Sequence, residues 1–183
     1  MVREVEAGAW AMTQINVQFV YGAGNDMLFG GGLRDLQSAV KAKFGTKVYS
    51  PRIIDYTEYE TLLRLLRQWN DPTILVGHSC GCNAVTHAAV ALSMERVPYL
   101  LAIAPSIYCP VAALPPNVGR ATQATSNPFD FFNPFGRTLL RTSSVNNKTK
   151  LDVINTGLPH LTAPYHAAVK KRLLEEIDVA LTA

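Results

Sequence analysis

Cysteine is scarce: three in 183 residues, Cys80, Cys82 and Cys109. An odd, sparse count builds no disulfide framework, so reduced thiols in a cytoplasmic protein are the expectation. Cys80 and Cys82 form a C-x-C pair with no second pair at metal-ligand spacing, so no metal site is expected. Nowhere do about 18 apolar residues follow one another, and no membrane span is expected. Net charge is only +3. The one basic run, Lys170-Lys171-Arg172, falls on an expected helix where a solvated face accounts for it, and nucleic acid is not an expected partner. No phosphate loop of standard form occurs. The Gly22–Gly24 pair starts a dinucleotide-type pattern that Met27 fails to complete, so no organic cofactor is expected. The N-terminal stretch carries Arg3, Glu4 and Glu6 and has no long apolar stretch after a basic start, so a signal peptide is not expected. The first 13 residues carry no periodic pattern and are expected to form a flexible leader, with Met12 as an alternative start. Residues 14–183 are expected to form a single domain.

What is present is an alternation of strand-like and helix-like segments. Residues 15–21 are β-branched and aromatic and stop at Gly22, as a strand would. Leu33, Leu36, Val40 and Phe44 recur at helical spacing and stop at Gly45. Residues 47–50 form a short strand ended by Pro51. Tyr59, Leu62, Leu63, Leu66 and Trp69 make one stripe of a helix over 56–69. Residues 73–76 and 99–104 are short apolar runs of the kind buried strands show, and residues 79–94, small and apolar, suit a buried helix between them. This order predicts an α/β fold: a three-layer α/β/α sandwich on a mostly parallel sheet. From 105 to 149 the pattern weakens under six prolines, with one strand expected at 117–126, and the rest forms an irregular segment suited to covering a site. Regularity returns with a strand at 150–155 and an amphipathic helix at 163–181, with Thr162 as N-cap and Pro164 in the first turn.

The segment Gly77-His78-Ser79-Cys80-Gly81 is G-x-S-x-G, entered directly from an apolar strand and left directly into a small-residue helix. A turn this tight holds its serine in strained dihedrals, and Gly77 and Gly81 remove the side chains that would clash. The turn presents Ser79 Oγ at the carboxyl edge of the sheet, beside the free N–H groups of a helix start.

Residues 76–81 resemble the nucleophile elbow of the α/β-hydrolase superfamily. The resemblance runs over most of the chain from about residue 14, in strand order and three motif positions. It is to a small, cap-less, cutinase-like serine esterase. The resemblance implies an oxyanion loop after the first strand. Val20-Tyr21-Gly22-Ala23-Gly24-Asn25 stands there, with Tyr21 where the family often has histidine, and the Ala23 and Cys80 N–H groups are the implied donors. The family order of serine, acid, histidine implies His160, in the loop after the last strand, as the base. His166 is the rival, more simply explained by packing on a helix face it shares with Val169, Leu173 and Ile177. His78, inside the elbow, is expected to point away from the line of attack, and His87 to be a packed or half-exposed helix residue.

The acid stays open among Glu95, Asp130 and Asp152. Asp130 is the choice on position, following the 117–126 strand; a serine–histidine dyad is the alternative. Phe129, Phe131, Phe132 and Phe135 are either an apolar wall for an acyl group or a satellite of the core. The implied function is hydrolysis of a carboxylic ester or thioester, a small-molecule acyl substrate, through an acyl-serine intermediate. The alternative is a non-catalytic binding module of the same fold.

Overall fold

The structure is a computed structural model, and it describes residues 14–23, 31–69, 71–92, 97–146 and 148–183. The expected leader with Met12, the loop positions Gly24, Asn25 and Met27, and Glu95 lie outside the described residues.

Seven strands form one sheet: β1 (Ile15–Tyr21), β2 (Val48–Tyr49), β3 (Ile54–Asp55), β4 (Thr73–His78), β5 (Val97–Ile103), β6 (Val118–Thr125) and β7 (Lys150–Asn155). The order is β2-β1-β4-β5-β6-β7, with β3 also pairing β1, and every pair is parallel. Parallel strands are buried on both faces, and β1, β4 and β5 bear no exposed residue: β4 is buried at all six positions. Among the described residues four helices cover the faces: α1 (Gly31–Phe44), α2 (Tyr59–Arg67), α3 (Gly81–Ala91) and α4 (Ala167–Thr182). One core joins Val17 and Phe19 of β1 to Leu36 and Val40 of α1 and to Leu173 and Ile177 of α4. The other joins Val20, Leu75 and Leu100 to Leu62 and Leu66 of α2 and to Val85 and Ala88 of α3. The two cores define the layers: α1 and α4 on one side, α2 and α3 on the other.

Several boundaries differ from expectation, each for a local reason. The helix expected over 56–69 opens as a 3₁₀ turn at Tyr56–Glu58, started by Asp55, whose carboxylate accepts the Thr57 N–H at 2.8 Å. The last helix does not start at residue 163. Pro164 sits in a separate 3₁₀ turn, Ala163–Tyr165, and the chain extends at His166 (φ −65°, ψ 128°) before α4 begins. Thr162 makes no N-cap hydrogen bond. That role falls to His166, whose Nδ1 accepts the Ala168 N–H at 3.2 Å. His166 is therefore a half-exposed cap, not a packed position inside the helix.

The expectation of three reduced thiols is also corrected. Cys80 and Cys109 are joined in a disulfide, with Cα atoms 5.2 Å apart, and Cys82 is the free, buried cysteine. Two cysteines 29 residues apart gave no sign of meeting because the chain between them must run out along α3 and back through β5. The cytoplasmic expectation rested on reduced thiols, and the bond removes that support. Among the described residues no helix is long and apolar enough to cross a membrane, and no group of three or more His, Cys, Asp or Glu could hold a metal ion.

Candidate active site

The chain leaves β1 toward β2 on one side and returns across it to β4, so the sheet order switches between β1 and β4. Crevices outside the carboxyl ends of strands at such a point are where open α/β sheets bind ligands. Gly22 follows β1 there and Ser79 follows β4. Ser79 has φ 55°, a left-handed conformation that costs a non-glycine residue on the order of 1–3 kcal/mol and persists only when its surroundings impose it. The surroundings do so. The Ser79 N–H donates to the Ile103 carbonyl at 3.0 Å, and the Ser79 carbonyl accepts the Cys82 N–H at 3.0 Å. Both flanking glycines are required by contact: a Cβ on Gly81 would lie 2.2 Å from the Val20 carbonyl oxygen, and one on Gly77 would lie 2.7 Å from that of Gly81.

The β1 loop presses on the same turn. A Cβ on Gly22 would lie 2.6 Å from the Cys80 nitrogen and 2.9 Å from Ser79 Oγ. The backbone that leads into Ala23 is thereby brought against the start of α3. Ala23 is exposed and shares with Gly22, Ser79 and Cys80 the lining of one cavity of about 340 Å³.

His160 lies in the loop after β7 and lines that cavity as well. Its Nδ1–H donates to Asp130 Oδ2 at 3.0 Å, with side-chain exposures of only 4% and 3% for the pair. Its Nε2 is buried and has no hydrogen-bond partner in the protein. Burial drives the His160 pKa below the ordinary 6.5, and the negative charge of Asp130 and its hydrogen bond oppose that only in part. The ring is thus neutral at pH 7, with a free lone pair on Nε2. Phe132 covers the ring at 4.5 Å between centroids.

Of the two candidate acids among the described residues, Asp130 meets the histidine. Asp152 lies in β7 as expected, and its carboxylate is taken by Arg172 at 3.0 Å. Asp130 is fixed by its own loop. Its backbone N–H donates to the Asn127 carbonyl at 2.9 Å, and its Oδ1 accepts the Phe132 N–H at 2.9 Å. The Asn127 N–H in turn donates to the Leu158 carbonyl at 2.7 Å, which ties the Asp130 loop to the loop of His160.

Gln123 and Asn133, buried polar residues that sequence reasoning passed over, complete this support together with His78. Gln123, on β6, accepts the Leu139 and Leu140 N–H groups and donates to the Arg137 carbonyl. Asn133, fully buried, binds both the N–H and the carbonyl of Arg137. The returning half of the loop is thereby stapled to the sheet. His78 does not simply point away: it lines the cavity, and its Nε2 lies 3.0 Å from the His160 carbonyl oxygen. Full burial pushes its pKa down to about 4, so it is neutral and the Nε2–H donates to that carbonyl. His87 is exposed on α3. The phenylalanine cluster is no core satellite: Phe129, Phe131 and Phe135 are 94%, 72% and 75% exposed.

No curated protein sequence matches the chain. Solved structures share its fold. A protein described as a YdeN-like hydrolase from Pectobacterium atrosepticum is 19% identical, covers 91% of this chain and 92% of its own, and superposes with a TM-score of 0.56. A cutinase-like protein from Cryptococcus sp. is 15% identical with 95% and 98% covered and a TM-score of 0.57. Est1E from Butyrivibrio proteoclasticus is 14% identical with 92% and 90% covered and a TM-score of 0.59. These likenesses establish a minimal α/β-hydrolase fold. The sequence model of the serine hydrolase family matches residues 36–145, a span that holds the whole elbow and Asp130, and the chain belongs to the serine hydrolase family.

Proposed function

We propose that the protein hydrolyses a carboxylic ester, or the corresponding thioester, by acyl transfer to Ser79, with His160 as base and Asp130 as the residue that orients it. One observation carries this reading. A neutral histidine has one ring nitrogen committed to a buried carboxylate and the other unpaired, and it lines the cavity that holds a strained serine. Asp130 fixes the proton on Nδ1, so that Nε2 is the basic nitrogen. Nε2 takes the hydroxyl proton as Oγ attacks the acyl carbon, and returns it to the departing oxygen or sulfur when that bond breaks. Water, activated by the same nitrogen, then adds to the acyl carbon and restores Ser79 with release of the acid.

The Cys80 N–H, at the start of α3, and the Ala23 N–H are the donors proposed for the developing oxyanion. The Ser79 N–H cannot serve, being committed to Ile103. Cavity-lining Tyr21, Phe132 and Leu161 favour a small or medium acyl group of apolar character. No observation favours the alternative of a non-catalytic binding module.

The test is covalent. The intact protein should label with a fluorophosphonate at Ser79, and Ser79→Ala should lose both the label and about 10⁴- to 10⁶-fold of turnover on a p-nitrophenyl ester. Labelling retained by Ser79→Ala would place the nucleophile elsewhere.

A further inference from the structure

The cavity above Ser79 does not end at His160. A second groove, of about 440 Å³, lies on the Asp130 loop and shares Phe132, His160 and Leu161 with the first. Its other walls are Phe129, Phe131 and Pro159 on the apolar side and Asn127, Asp130 and Thr162 on the polar side. Rings continue along its rim: Phe131 packs against Phe132 at 5.7 Å between centroids and against Tyr108 at 5.6 Å. No lysine or arginine lines it among the described residues. Asp130, the acidic residue in its lining, is already engaged by His160.

We propose that this second groove is the leaving-group subsite, and that it selects esters of uncharged, apolar alcohols, alkyl or aryl, over acyl groups carried on charged thiols. The inference rests on the serine hydrolase reading above and deepens it. When the acyl–oxygen bond breaks, the alcohol leaves with the proton that His160 Nε2 took from Ser79 Oγ. The departing oxygen must therefore lie within hydrogen-bond reach of that nitrogen, and the group attached to it extends past the His160 ring rather than toward the Cys80 N–H. The space that adjoins the His160 ring beyond the first cavity is the phenylalanine groove. Apolar walls favour a leaving group by the area they remove from water. A phosphorylated carrier brings anions that need cations, and this groove supplies none. The exposure of Phe129 and Phe131, 94% and 72%, is accounted for as surface awaiting a substrate rather than failed packing.

The experiment uses the full chain and two sets of substrates. In the first, the acyl group is held as butyrate and the alcohol is lengthened from methyl to octyl. The expected result is a kcat/KM that climbs about two- to fourfold per methylene over the first several carbons. The slope should flatten in the double variant Phe129→Ser, Phe131→Ser. Both positions are exposed, so the fold does not depend on them. In the second set, S-octyl thiobutyrate is compared with butyryl-coenzyme A, which have the same scissile bond but different leaving groups. The octyl thioester should be preferred at least tenfold. A fluorophosphonate label on Ser79 combined with a flat alcohol series, a slope unchanged in the double variant, or a preference for the coenzyme A ester would overturn the subsite while leaving the serine hydrolase intact. Absence of both label and turnover on every ester would overturn the two together.

Discussion

Asp130 and His160 divide the work of one proton, and the division can be measured. Burial lowers the His160 pKa, and the Asp130 carboxylate raises it by less. The rate should therefore rise with pH in one step centred below 6.5 and stay level to pH 9. A step centred above 7 would mean that the ring is not desolvated as found. Asp130→Asn keeps the shape of the side chain but removes the charge and lets the wrong ring tautomer form. Turnover should fall by about 10⁴, as it does where such a carboxylate orients a catalytic histidine, and whatever step remains should move to still lower pH. An exposed aspartate without this role would change neither quantity. Gly22 is as exacting. A methyl group there meets the Cys80 nitrogen at 2.6 Å, so Gly22→Ala must push the β1 loop off the turn. Fluorophosphonate labelling should slow by about 10²-fold or more, the range seen when an oxyanion donor is lost; labelling at the normal rate would show that the loop has room to give.

At the scale of elements, what could be read in advance follows how local each signal is. Strands β4 and β5 announce themselves because a strand buried on both faces is a continuous apolar run, and β1 does by its β-branched and aromatic residues ending at Gly22. The elbow does because its glycines, serine and flanking elements are contiguous. His160 and Asp130 were reachable only through the order of motifs along the chain. What held them was not, because Gln123, Asn133 and His78 act on residues distant in sequence or on backbone alone. The disulfide is the clearest case of a link without a local signal, and it joins two elements of the site: the Cys80 end of α3 and the segment after β5 whose Ser106, Tyr108 and Cys109 line the cavity. By the chain-entropy argument, a cross-link spanning 29 residues stabilises by about 3–4 kcal/mol. Reductant, or Cys109→Ser, should lower the urea midpoint correspondingly. Thiol titration of the denatured chain should count one thiol before reduction and three after, and three before reduction would mean that the bond does not form.

For the molecule as a whole, stability and activity should decline together as the solution is acidified, because both depend on the same buried imidazoles. His78 has a folded pKa near 4 against an ordinary 6.5, and His160 is displaced in the same direction. A base whose folded pKa is depressed binds protons more readily when unfolded. Its contribution is therefore intact above pH 6.5 and is lost as pH falls toward the folded value. For His78 alone, lowering the pH from 7.5 to 5 should cost about 2 kcal/mol of unfolding free energy at 1.36 kcal/mol per unit. Among the carboxylates, Glu58 is held low by Arg52, but it titrates below this window and is solvent-screened, so it does not blur the measurement. Urea unfolding at pH 7.5, 6 and 5 would show the decline. His78→Gln, which carries an amide N–H but no titrating nitrogen, should remove most of it whatever its stability at pH 7.5. If the wild-type protein is equally stable at all three values, His78 is not held neutral in the fold. The hydrogen bond it gives the His160 carbonyl would then have to be made by a charged ring, and the loop that presents the proposed base would rest on something else.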